Sequence, residues 1–332
     1  MELLLFDRPT FERMYNCSLY DVDEIPFTVR RKQAVGVVYL VGWSIFTPLY
    51  FVCLCAMWPQ LRKRQAIAYR LMFALGCVHL IGEQVAGLVA GLFALNGVVY
   101  CSCPLLNYVT SAIALGAWVM STLYSLIIGF NRCLVLHDRS LNERVFGGWR
   151  LVFWIGIPLL YGLAVMTFTD PFVYNSIIGA YVTNPHLGYR DDPQGLYHST
   201  HNRIHNTVIF FAEIILYFNM IRLYGKMSAA AESRTKLKYE KQVYIPALFI
   251  GGIHFITGFL YVLLDTVPVP PILGLVGTLT YWLSQGLPAV VYLVFNQTIR
   301  STALRALKGK DSRVSTAHTV NVSNSQLTPT HE

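Results

Sequence analysis

The sequence predicts an all-α membrane protein, a seven-transmembrane helix bundle, and three observations carry that reading. Seven mostly apolar stretches, each about long enough to cross a bilayer as a helix, recur along the chain. All 26 Lys and Arg fall between or beyond them. Charged residues are 13% of the chain, about half the usual ~25%, against 54% hydrophobic residues. That leaves too little polar surface for a soluble fold of 332 residues.

Taken in order, residues 1–33 read as an extracellular amino terminus. The apolar run Leu3 to Phe6 is too short for a cleavable signal peptide and has no basic residue before it, so the first span should act as its own insertion signal. The bundle occupies residues 34–295, with spans from Ala34 to Trp58, Leu71 to Leu95, Pro104 to Phe130, Leu151 to Thr169, Thr207 to Ile221, Val243 to Leu264 and Ile272 to Phe295. Six can cross a ~30 Å hydrocarbon core unaided, and the fifth needs its polar flanks. Residues 296–308 carry Ile299, Ala303, Leu304 and Leu307 with Arg300, Arg305 and Lys308, the pattern of a short amphipathic juxtamembrane helix on the inner leaflet. Residues 309–332 are rich in Ser and Thr and read as a disordered cytoplasmic tail, where Ser312, Ser315, Thr316, Thr319 and Ser323 are candidate phosphorylation sites.

Basic residues set the orientation. One side collects 19: Arg62, Lys63, Arg64 and Arg70, four from Arg132 to Arg150, six from Arg222 to Lys241 and five in the tail. The other side holds seven, Arg8, Arg13, Arg30, Arg31, Lys32, Arg190 and Arg203. The amino terminus is therefore expected outside and the carboxy terminus in the cytoplasm. Arg30-Arg31-Lys32 is a local exception that nearly balances the cluster at Arg62. The net charge of +8 is read as topology rather than nucleic-acid binding, because the basic residues lie in short loops without a folded basic face.

Asn16-Cys17-Ser18 is a glycosylation sequon in the outer segment, whereas those at Asn296 and Asn321 should face the cytoplasm unmodified. Of seven cysteines, Cys53, Cys55, Cys77 and Cys133 lie in spans or at the inner edge and read as packing groups. Cys17, Cys101 and Cys103 face the oxidising side. The outer segment from Asp170 to Asn206 has no cysteine. A disulfide from the top of the third span must then reach Cys17 or stay within the Cys101/Cys103 neighbourhood, with Cys17 to Cys101 expected and Cys103 the alternative partner.

Ionisable groups inside a bilayer are costly and mark function. Only Glu83 and Glu213 of the 18 acids fall well within spans, with Asp265 at the outer end of the sixth. His79 and Glu83 are four apart on one helix face and should form one polar cluster. Glu213 is read as lining or supporting a ligand cavity among Phe210, Phe211 and Leu216, with Glu83 and His79 as further ligand-binding candidates. His198, His201 and His205, with His186 upstream, have spacings able to offer imidazoles to a metal. No cysteine is near and Asp191 and Asp192 are off the helical spacing, so no metal site is expected. No phosphate loop or nucleophile elbow occurs, and neither a cofactor nor an enzymatic activity is expected.

An outer amino terminus, seven spans and a basic third inner loop point to a G-protein-coupled receptor. Tyr15-Asn16-Cys17-Ser18, Cys101 three residues before Pro104, Asn131-Arg132-Cys133 closing the third span, Asp170-Pro171 after the fourth, and Pro288 with Tyr292-Leu293 before Asn296-Gln297-Thr298-Ile299-Arg300 narrow this further. Together they resemble the nematode serpentine receptor class T chemoreceptors, from about Tyr15 to Arg300. The resemblance implies a rhodopsin-like bundle in the plasma membrane of a chemosensory neuron, sited in its sensory cilium. It would bind a small-molecule ligand from outside and activate a heterotrimeric G protein, with Arg132 and Asn131 at the coupling end. Its partners would be that ligand, the G protein and the lipid bilayer, with no nucleic acid. Departures from the wider rhodopsin-like pattern are Asn131-Arg132-Cys133 in place of Asp-Arg-Tyr, Leu287 with one extra residue between Pro288 and Tyr292, no mid-depth proline in the sixth span, and His79 where aspartate is usual. The rival from another class is a seven-helix transporter of a small solute, disfavoured by the odd span number and the lack of an internal repeat.

Overall fold

The apolar stretches fold as helices, most of which run past them at one or both ends, because the polar flanks continue to close backbone hydrogen bonds beyond the hydrocarbon. The computed structural model describes residues 1–63, 66–190, 196–229, 234–267 and 270–307. Three short helices lead in, α1 (Glu2–Phe6), α2 (Arg8–Met14) and α3 (Phe27–Arg30). The long helices are α4 (Gln33–Leu61), α5 (Ile67–Glu83) continued through a wide π turn at Gln84–Val89 into α6 (Ala90–Leu95), α7 (Pro104–His137), α9 (Arg150–Phe168), α10 (Thr200–Ala229), α11 (Arg234–Thr266) and α12 (Pro271–Phe295). Helix α8 (Arg139–Phe146) joins α7 to α9, and α13 (Gln297–Leu307) follows α12.

Six of the long helices are long and apolar enough to cross a membrane, the fifth span becoming the 30-residue α10. The seventh, α12, packs against α4, α5 and α11 in the same bundle. Its polar residues Thr278, Ser284 and Gln285 turn inward and are buried, which dilutes its hydropathy without exposing polar groups to lipid. The outward faces of α9 and α10 carry Val152, Phe153, Leu160, Phe211, Ile215 and Phe218, all exposed in the isolated chain as a bilayer would require.

Two expectations are corrected here. The second span is not one regular helix, since the π turn inserts at Gln84, whose side chain reaches across to Trp43 (Nε1 to Oε1, 2.9 Å) and to Thr47 (3.3 Å). An inserted residue of this kind re-aims the turn that follows it. The protein is also not wholly α-helical. The segment after α9 holds an antiparallel hairpin, β1 (Val173–Asn175) and β2 (Ala180–Val182), paired Val173 to Val182, Tyr174 to Tyr181 and Asn175 to Ala180. Strands of three residues lie below what periodicity reveals, and the turn depends on Gly179 at φ +76°, a conformation open to glycine.

The hairpin caps one end of the bundle. Asn107 of α7 clamps β1 by two bonds, donating to the Tyr174 carbonyl (2.8 Å) and accepting from its N–H (2.9 Å). Thr278 of α12 accepts from the Tyr181 N–H (3.2 Å) on β2. The amino-terminal segment lies over the same end and is fixed by a Cys17 to Cys101 disulfide, with Cα atoms 5.5 Å apart, while Cys103 stays free. Phe11, Tyr15, Tyr100 and Tyr108 build an aromatic cluster beneath it. His186 donates from Nε2 to the Met14 carbonyl (3.1 Å) and stacks on Tyr20.

One member of the basic triplet has a structural role. Arg30 is 6% exposed, with its guanidinium bonded to Asp23 and to the carbonyls of Ile25 and Gly97. Its charge is spent on tying the amino-terminal segment to the loop after α6, so it weighs less in topology than its position suggests.

Candidate functional site

Beneath the hairpin lies a cavity of about 40 Å³ between α7, α10, α11 and α12. Trp118, Tyr261 and Tyr281 meet edge to face or tilted at 5.9 to 6.0 Å, and Tyr181 closes over Tyr281 at 6.1 Å. Ser111 and Asn202 are polar members of the wall, and among the described residues no carboxylate lines it. The rings are held from behind: Tyr281 donates to the Ala114 carbonyl (2.9 Å) and Trp118 Nε1 to Asn206 Oδ1 (2.9 Å). Aromatic rings with pinned polar ends form a rigid apolar cage. This volume holds about one or two waters, so a ligand of ordinary size must displace side chains or the hairpin.

The residues expected to bind ligand do not line this cavity. His79 is fully buried in α5 and shares a hydrogen bond with Tyr50 of α4 (2.7 Å). Glu83 accepts from Trp282 Nε1 of α12 (3.1 Å). Trp282 fits there because α4 has glycine opposite; a Cβ at Gly42 would lie 2.1 Å from its ring. Among the described residues no hydrogen bond joins His79 to Glu83 directly; each ties α5 to a different neighbouring helix. Glu213 is 1% exposed with both carboxyl oxygens unpartnered, yet Phe211 beside it faces outward at 58% exposure, which corrects the expected pocket of Phe210, Phe211 and Leu216. Phe210 instead stacks on Phe255 of α11 (4.9 Å).

A residue not singled out in the sequence links these groups to the cavity. His254 of α11 meets Trp118 on one side (5.8 Å) and His79 on the other (5.7 Å). Only the packing of α11 against α5 and α7 reveals it, although a histidine inside an apolar span was the available signal.

The histidines ahead of the fifth span serve packing. Tyr161 of α9 joins His201 Nε2 (2.9 Å) and His205 Nδ1 (3.1 Å), and His205 Nε2 meets Thr122 Oγ1 of α7 (3.1 Å). Among the described residues no three metal-ligating side chains converge.

At the opposite end, Asn131 and Arg132 lie at the close of α7. Asn131 is fully buried and donates to Asn142 of α8 (2.7 Å), while Arg132 donates to Asn131 Oδ1 (2.5 Å). Asn131 thus bonds within the protein, to α8 and to the neighbouring Arg132. Arg132 borders a cavity of about 790 Å³ that extends toward α5, α8 and α9. Asn296 is fully buried, and its Oδ1 accepts from the Ile299 N–H (3.1 Å) as the cap of α13, whereas Asn16 is exposed. Asn321 and the five candidate phosphorylation sites lie outside the described residues.

The family model described as "Serpentine type 7TM GPCR chemoreceptor Srt" matches residues 2–316. The Caenorhabditis elegans protein "Serpentine receptor class T-55" is 23% identical over 317 residues, covering 93% of this chain and 84% of that protein.

Proposed function

Since the chain belongs to the serpentine-type 7TM GPCR chemoreceptor family Srt and is a multi-pass membrane protein, we propose that it is a chemosensory receptor for a small external ligand. The ligand enters the aromatic cavity under the hairpin, and a heterotrimeric G protein engages the end bearing Arg132. The observation that carries this reading is the contiguous column from Trp118 through His254 to His79 and Tyr50. A change at the cavity floor can shift the packing of α11 against α5 and α7, and a shared packed element with two arrangements is what couples distant sites. The cage favours a small neutral ligand with an aromatic or apolar body and one hydrogen-bonding group, because five aromatic side chains and, among the described residues, no carboxylate surround it.

The amino terminus lies outside and the protein works in the plasma membrane of a sensory ending. Arg132 reaches the carboxy-terminal carbonyls of an inserted partner helix, as a cation suits the negative end of a helix dipole. Neither an enzyme nor a transporter is needed to account for these features.

Reporter cells expressing the full chain test the reading. A screen of small odorants should find one that shifts a G-protein or cyclic-nucleotide signal. That response should be lost in Trp118→Ala and Arg132→Ala at unchanged surface expression. Accumulation of labelled solute without a G-protein signal would instead indicate transport. Glycosidase should increase the mobility of the expressed protein unless Asn16 is replaced by Gln, and a shift that persists in Asn16→Gln would invert the orientation.

A further inference from the structure

The cavity of about 790 Å³ at the Arg132 end is larger than an interhelical gap left by packing, and its wall has one dominant chemistry. Arg70 of α5, Arg132 of α7, Arg139 of α8 and Arg150 of α9 line it, with Glu143 as the acid on the wall among the described residues. The first turns of two helices, Ile67 to Tyr69 of α5 and Arg150 to Leu151 of α9, open onto the same space. Neither helix start has a side-chain cap, since Ala66 and Trp149 hold the cap positions. Uncapped N–H groups and the positive helix ends therefore add to the guanidinium charge. Arg70 donates to the Leu61 carbonyl (3.0 and 3.1 Å) and Arg150 to that of Arg144, so neutral oxygens hold these two in place without cancelling their charge.

We infer that this cavity binds the phosphorylated headgroup of an anionic membrane lipid carrying more than one phosphate. Two helix starts and four arginines around one space match several phosphates better than one, and Arg pairs with phosphate through two parallel hydrogen bonds. A volume of this order suits a whole headgroup. The lipid source follows from the mouth. Trp149 on its rim is 68% exposed, and Val152 and Phe153 directly after it are exposed on the lipid-facing side of α9. A Trp at that position sits at headgroup depth, so a lipid reaches the cavity sideways from the leaflet. Arg132 and Val243 form the inward limit of the space, toward the bundle centre where the G protein is proposed to act. Which leaflet supplies the lipid rests on the proposed orientation; the headgroup chemistry does not.

Native mass spectrometry of the purified full chain tests this without ligand or G protein, so its failure is separate from failure of the receptor reading. The probes are phosphatidylinositol 4,5-bisphosphate, phosphatidylserine and phosphatidylcholine at equal concentration. The bisphosphate should be retained about tenfold over phosphatidylserine. Arg139 and Arg150 are exposed, so the double variant Arg139→Gln/Arg150→Gln should fold, checked by an unchanged melting temperature, and lose most of that retention. Arg203→Gln, on α10 at the other end, should retain the lipid as the wild type does. Excess soluble inositol trisphosphate should fail to displace the lipid; displacement at equimolar concentration would make the free headgroup the ligand and overturn the lipid source. Equal retention of phosphatidylserine, wild-type retention by the double variant, or displacement by a phosphorylated peptide of residues 311–323 would overturn the proposal.

Discussion

His254 and His79, on α11 and α5, lie with ring centroids 5.7 Å apart in the centre of the bundle, and neither nitrogen of His254 has a hydrogen-bond partner among the described residues. A buried polar atom without a partner costs about 1–3 kcal/mol, so a sequence that keeps two on one ring gives up stability for another end. His254→Phe removes both while preserving a planar ring. We expect its melting temperature in detergent to equal or exceed that of the wild type by roughly 2 °C, with the ligand-evoked signal strongly reduced. A clear fall in melting temperature would mean that ordered water already satisfies the imidazole.

The disulfide closes a loop of 84 residues, for which chain entropy gives about 4–5 kcal/mol. Cys17→Ser should therefore lower surface expression and melting temperature sharply, whereas Cys103→Ser should change neither. Equal damage from both substitutions would point to a second pairing in cells.

His186 gives the cap at the hairpin end of the bundle a pH dependence. Burial, with the Arg190 charge beside it, outweighs the Met14 carbonyl bond and pulls its pKa below the ordinary 6.5. The folded state therefore binds its proton less readily than the unfolded chain, so stability is whole above about 6.5 and falls as the pH drops through and below that value. Thermal melts at pH 7.5 and 5.5 should show a loss on acidification that is smaller in His186→Gln. An identical pH response in both proteins would exclude His186 as its source.

The Asn131 to Asn142 bond holds α8 against α7. Asn131→Ala leaves a buried amide on Asn142 unpaired and should cost about 1–3 kcal/mol. It also removes the acceptor that Arg132 uses. A double-mutant cycle with Asn142→Ala should then give a coupling energy above ~0.5 kcal/mol. Strict additivity would mean that the two side chains act independently.

Glu213 has no partner for either oxygen among the described residues, so Glu213→Gln should fold as the wild type does and report on the ligand. Near-normal potency is expected for the neutral ligand proposed here, and a large loss would indicate a cationic one. Unchanged potency and expression in Glu213→Leu would remove Glu213 from any role in binding.

The helices were legible along the chain because crossing a bilayer demands an apolar run of fixed length, a requirement that each segment meets by itself. Cys17 and Cys101 were narrowed by which side of the membrane each cysteine occupies, again a property of the one-dimensional order. Glu83, Glu213 and His79 were visible as polar residues in apolar spans, but the partners of Glu83 and His79 were not. Trp282, Tyr50 and His254 stand far from them in sequence, and which face of a helix meets which neighbour is settled only by packing. The hairpin above the cavity, the π turn at Gln84 and the aromatic cage around Trp118 left no periodic trace. The cage and the hairpin arise from side chains and loop backbone that converge only after the helices have associated. The arginine cavity has the same origin: Arg70, Arg132, Arg139 and Arg150 were counted as topology, and tertiary structure alone gathered them around one space.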